Sequence, residues 1–146
     1  MPTVRYPEAL TRTRADFDRQ GVMTTLGITV AEVAAGRVVL TLPFRADLTQ
    51  HHGFLHAGVL TTAMDSAAGF AAFTLMDAEA EVLTAEFKAS FLAPARGQVF
   101  RIVGEVIRSG RTLTFTEARA YADEGDAVIA TLSATMMAVR NPGLRR

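Results

Sequence analysis

The sequence predicts an α+β fold in which an antiparallel sheet wraps around one long central helix, with a short helix ahead of it. Three observations carry that expectation. A nearly unbroken run of apolar and small residues extends from Phe54 to Met76, far longer than an ordinary strand. Two strand-like stretches precede it, and four stretches that alternate or run apolar follow it, separated by short turn signals. A helix that is apolar on every side needs cover all round, and a curved sheet supplies it.

From Pro7 to Arg19 the residues Ala9, Leu10, Thr13, Ala15 and Phe17 recur among charges, the pattern of a short surface helix. Leu26 to Val33 and Arg37 to Pro43 read as a hairpin around Ala34-Ala35-Gly36, with Val38, Leu40 and Leu42 on one face of the second strand. At about 1.5 Å per residue the Phe54 to Met76 run is also long enough to cross a bilayer. Against a membrane span stand Asp65 near its middle and the excess of Ala, Gly, Thr and Ser over large aliphatics. A buried helix is therefore expected. Beyond Asp77-Ala78-Glu79 come strands over Glu81 to Leu92, Gly97 to Arg108, Thr112 to Ala122 and Ala127 to Val139. Their short connections predict four antiparallel neighbours. In the third of them Leu113 and Phe115 share a face with Glu117, Arg119 and Tyr121, so neither face reads as cleanly apolar. A sheet with one helix leaves strand edges and an outer face open, which predicts self-association.

At 146 residues the chain is expected to be one domain over residues 1–146, with residues 1–20 as an N-terminal helical extension. Fifteen basic and fifteen acidic residues cancel, leaving no global field to attract nucleic acid or an anionic membrane. The lack of cysteine excludes a disulfide framework, a thiolate nucleophile and the usual structural zinc sites. Charges interrupt the first twenty residues where a secretory signal would have an apolar core, so a cytoplasmic location is expected.

Asp65 is the sharpest clue to chemistry. A carboxylate within an apolar helix carries a desolvation penalty that partners or water access must offset. It could cap another element or form an oligomer contact, but its neighbours point to catalysis. The segment Gln50-His51-His52-Gly53-Phe54-Leu55-His56-Ala57-Gly58 sets hydrogen-bonding groups just before the helix. Helix N-termini expose unpaired N–H groups and about half a positive charge, which suits a developing oxyanion. On a helix beginning near Ala57, the residues Gly58, Thr61, Thr62 and Asp65 fall on one side. Carboxylate plus oxyanion donor is what acyl transfer needs. The three histidines form no matching ligand set, so no metal is expected, and acyl transfer calls for no redox cofactor. His56 is expected to orient the turn, while His51 and His52 are either solvated or in contact with ligand. No Gly-x-Ser-x-Gly elbow surrounds Ser66 or any other serine. Ser109-Gly110-Arg111 reads as a hairpin turn; its functional reading places Arg108 or Arg111 on the phosphates of a nucleotide-bearing ligand. Phe54, Phe70, Phe73 and Met76 are candidates either for an acyl pocket or for core packing.

The segment His56-Ala57-Gly58-Val59-Leu60, continued by Met64-Asp65-Ser66-Ala67-Ala68-Gly69, resembles the signature of hotdog-fold thioesterases of the phenylacetate-degradation (PaaI-like) and 4-hydroxybenzoyl-CoA type. The likeness runs on through the residues from Thr84 to Pro94 and from Ser109 to Thr112. The resemblance implies a hotdog fold and hydrolysis of an aromatic or medium-chain acyl-CoA, with coenzyme A present only as part of the substrate. It implies that Asp65 is the nucleophile or the base that activates water, and that the N–H of Ala57 or Gly58 is the oxyanion donor. Gln50 matches a position where the family has Asn or Gln near the thioester. Thr84 matches a Ser or Thr that reaches the acid from a neighbouring subunit, placing the site at the interface of a homodimer or homotetramer. Lys88, Arg108 and Arg111 would hold the CoA phosphates. The family's His-Gly-Gly is His-Ala-Gly here, which would be strained if Ala57 needed a positive φ. The rivals are a non-catalytic acyl-CoA sensor and a dehydratase or hydratase of acyl thioesters.

Overall fold

The central helix decides the architecture. The computed structural model describes residues 2–144. In chain order they form α1 (Pro7–Asp18), α2 (Gly21–Leu26), β1 (Thr29–Ala34), β2 (Arg37–Pro43), α3 (Ala57–Phe73), β3 (Glu81–Phe91), β4 (Val99–Ser109), β5 (Leu113–Ala122) and β6 (Val128–Val139). The six strands make one antiparallel sheet in the order β1-β2-β4-β5-β6-β3. Its concave face holds α3, which touches every strand from β2 to β6. The long helix, a two-stranded hairpin before it and four strands after it thus follow one another along the chain in the expected order.

Two expectations are corrected. The strand expected from Leu26 begins only at Thr29, because Gly21–Leu26 forms the short helix α2, closed by Gly27 at φ 73°. The four later strands are not all neighbours: β5 and β6 lie between β3 and β4. The seven residues joining β3 to β4 cross three strand spacings, about 14 Å. Extended chain covers that distance easily, at up to ~3.3 Å per residue. A short connection therefore did not force a hairpin.

The concave face is built from small side chains where the helix lies closest. On β5 it is Thr114, Thr116, Ala118 and Ala120 that are buried, while Leu113 and Phe115 face outward. Gly104 on β4 is the extreme case: a Cβ there would lie 2.3 Å from the carbonyl of Ala67 in α3. The N-terminal helix α1 is not merely a surface element. Its Ala9, Thr13 and Phe17 are buried, Phe17 stands 5.8 Å from Phe70 of α3, and the Arg12 guanidinium lies 4.1 Å over the Phe73 ring.

Candidate active site

Helix α3 starts at Ala57 because His56 caps it. The His56 backbone is extended, and its Nδ1 accepts a hydrogen bond of 2.8 Å from the Gly58 N–H. His56→Ala is expected to cost about 1 kcal/mol of stability, read as a lower denaturant midpoint with an unchanged slope. The cap also distinguishes the two candidate oxyanion donors. The Gly58 N–H is engaged by His56, whereas the Ala57 N–H has no partner among the described residues. Ala57 adopts helical backbone without a positive φ, so alanine occupies the family's glycine position without strain.

Two turns further on, Thr62, Asp65, Ser66 and Gly69 follow one another at helical spacing along one side of α3. Together with Phe70, Val82 and Thr84, and with Gln20 and Val22 at the start of α2, they line a cleft of about 320 Å³. Thr84 Oγ1 donates to Asp65 Oδ1 at 2.8 Å. The second carboxylate oxygen has no protein partner among the described residues, and Asp65 lines the cleft. Burial pushes the Asp65 carboxyl above the ordinary carboxylate range, and the Thr84 hydrogen bond draws part of that rise back. Thr84→Val removes the opposing influence. The acidic limb of the kcat/KM profile for the reaction proposed below is expected to move to higher pH in that variant, and pH-rate measurement checks it.

The resemblance has the Thr84 hydroxyl arriving from a neighbouring subunit. Within this chain it reaches Asp65 directly, because β3 runs beside α3 and turns Thr84 toward the helix. Gln50 does not line the Asp65 cleft, and its side-chain oxygen accepts from the His52 backbone N–H. His51 and His52 are exposed, their rings 4.0 Å apart. Of the four apolar candidates only Phe70 reaches the cleft; Phe73 is core, Phe54 lies under Arg96, and Met76 borders a second cleft.

That second cleft, of about 400 Å³, lies at the C-terminal end of α3. It brings Ser109, Gly110 and Arg111 together with Arg5, Tyr6 and Arg140. Arg140 is paired with Asp77 at 2.7 Å. Lys88 and Arg108 are elsewhere: Lys88 borders a depression with Phe115 and Ile107, and Arg108 is exposed and lines neither cleft. The sequence reading missed Gln20, Val22, Gly69 and Val82. Gly69, one turn beyond Asp65, carried the only available signal, as a helical glycine on the acid's side.

A six-stranded antiparallel sheet curled on one buried helix is the hotdog class of fold, and in this chain the helix carries an acid two turns inside it. The chain belongs to the thioesterase superfamily, whose family model matches residues 52–129. A thioesterase family protein of Silicibacter pomeroyi superposes with a TM-score of 0.88 at 50% identity, covering 91% of this chain and 99% of that one. A Saccharolobus solfataricus protein assigned to the esterases is 37% identical over 92 residues, 63% of this chain. The match spans 65% of that relative, just under two thirds of its length. The 1,4-dihydroxy-2-naphthoyl-CoA hydrolase of Listeria monocytogenes is 27% identical over 92 residues, 63% of this chain and 75% of that protein. No helix among the described residues is long and apolar enough to cross a membrane.

Proposed function

We propose that this chain hydrolyses the thioester of an acyl-CoA to a carboxylic acid and free CoA. The observation that carries the reading is Asp65: a half-buried carboxylate that lines a cleft, with one oxygen held by Thr84 and the other without a protein partner among the described residues. Its raised proton affinity suits a base that must act near neutrality. Asp65 either attacks the thioester carbon, giving a mixed anhydride that water then hydrolyses to the acid and the free carboxylate, or takes the proton of a water that attacks the carbon directly. The free Ala57 N–H at the helix N-terminus receives the developing oxyanion, and sulfur departs as the CoA thiolate. The scheme uses no metal and no redox cofactor. The CoA-hydrolase name of the Listeria relative supports the same substrate class.

One helix cannot supply both groups to one carbonyl. Ala57 and Asp65 are eight residues apart on α3, about 12 Å along the axis, whereas reacting atoms must lie ~3 Å apart. The complete site therefore takes the helix N-terminus from one copy and Asp65 with Thr84 from another, with the Gln50 amide hydrogens as a further donor beside the N-terminus. The open edge of β3, exposed from Leu83 to Lys88, offers the pairing surface for such a dimer. Outward Leu113, Phe115 and Ile107 offer a second surface for a dimer of dimers. Arg5 and Arg111, which line the second cleft together, are the side chains proposed to hold the CoA phosphates, with the reaction in the cytoplasm.

A sensor that only bound acyl-CoA would gain nothing from a carboxylate desolvated beside the acyl group. Free-thiol release from aromatic and aliphatic acyl-CoAs tests the proposal. Turnover is expected; acyl-CoA binding without thiol release would overturn it in favour of the sensor.

A further inference from the structure

The Asp65 cleft has two chemically different ends. Thr62, Asp65, Ser66 and Thr84 make one end polar, while Gly69 and Phe70, one turn further along α3, make the other apolar with Val82 and Val22; Gln20, two residues before Val22, adds one amide to the lining. Phe70 lines that apolar end and is itself backed by Phe17 of α1. The space beside Gly69 exists because the residue lacks a side chain. A Cβ at that position would touch only the Met136 thioether and its methyl, both at 3.9 Å. Val22 forms the opposite wall from the first turn of α2, and it is 46% exposed although it is a large aliphatic residue. From Asp65 to Gly69 the helix rises by only about 6 Å.

We infer that this apolar end is the acyl-group pocket, that it takes a short aliphatic chain of about six carbons or a single aromatic ring, and that Gly69 and Val22 set that limit. The inference rests on the acyl-CoA reading of the same cleft. With the thioester carbonyl at Asp65, the acyl carbons run along α3 over Gly69 and stop at Phe70. Its length follows from that rise and its chemistry from the apolar walls. The wall supplied by α2 also assigns a role to the N-terminal segment: α1 holds Phe70 through Phe17, and α2 presents Val22.

The test is an affinity series that needs no turnover. S-ethyl-, S-hexyl-, S-dodecyl- and S-benzyl-CoA thioethers are titrated calorimetrically into the wild-type protein, Gly69→Val and Val22→Asp. In the wild type the hexyl thioether is expected to bind roughly two hundredfold more tightly than the ethyl one, as burial of about four methylenes at ~0.8 kcal/mol each requires, and the benzyl thioether comparably. The dodecyl thioether is expected to gain nothing over the hexyl one. Gly69→Val fills the pocket, and Val22→Asp sets an anion in its wall. Each is expected to lose at least tenfold in hexyl and benzyl affinity while ethyl affinity holds within threefold. Val22 is exposed on a surface helix, so its variant tests the wall even if Gly69→Val fails to fold. An unchanged hexyl-to-ethyl ratio in folded Val22→Asp, a dodecyl affinity far above the hexyl one, or no thioether binding at all overturns the pocket assignment. Absence of thiol release from acyl-CoAs by wild type, with the affinity pattern intact, overturns the hydrolase reading alone.

Discussion

Asp65→Asn is expected to lower kcat for thiol release at least a hundredfold, the usual loss when a positioned base is removed, while fold and oligomeric state persist. Asparagine keeps the shape and still accepts the Thr84 hydrogen bond through its amide oxygen, so the change isolates the charge and basicity at the open oxygen. Steady-state kinetics against wild type checks it, and residual activity above a tenth of wild type would remove Asp65 from the chemistry.

The same substitution carries a stability prediction of opposite sense. The folded-state proton affinity of Asp65 is raised by burial, so the fold favours the protonated acid. The contribution to stability is complete below the ordinary carboxylate pKa of about 3.9 and is lost as pH rises through the higher folded value. At neutral pH the wild type carries the penalty of a desolvated charge, and the variant does not. Asp65→Asn is therefore expected to melt at a higher temperature than wild type at pH 7, with the difference vanishing in acid. Calorimetric scans at several pH values check the sign. Higher stability paired with lost activity is the mark of a residue kept for chemistry.

Gly104→Ala is expected to be the most destabilising single-methyl change in the strands, lowering stability by about 3 kcal/mol, at the upper end for overpacking. The added Cβ would meet Ala67 C and O at 2.3 Å and Ala68 N at 2.7 Å, all backbone atoms of α3. No rotamer change relieves a collision with backbone, so the helix must lift off the sheet and break its packing along β4 and β5. Thermal unfolding is expected to fall by roughly 10 °C. Gly69→Ala is the internal comparison: its Cβ meets only the flexible end of Met136 at 3.9 Å, and alanine favours the helix. Equal effects at the two glycines would contradict the close approach of α3 to β4.

Much of this fold was legible because its elements announce themselves by period and composition. The nearly unbroken run of apolar and small residues from Phe54 to Met76 pointed to a buried helix, observed as Ala57–Phe73. The alternation of Val38, Leu40 and Leu42 set the buried face of β2. Strand order was less legible, since a seven-residue connection serves a hairpin or a crossover equally well. The polar-looking Thr114 and Thr116 proved to be the buried face of β5, because small side chains are what a close helix demands and the bulky Leu113 and Phe115 do not fit beneath it.

The sequence by itself determined the chemistry's address: an acid two turns into a helix that begins after a hydrogen-bonding loop. Local spacing decides that much, since helical geometry follows from residue number. Only the tertiary structure decided what surrounds the acid. That the Thr84 hydroxyl on Asp65 comes from the same chain, and that Gln20 and Val22 wall the cleft, are contacts between segments. Such contacts depend on where β3 and α2 dock against α3, and docking is set by shape and packing over the whole sheet, which no local pattern encodes.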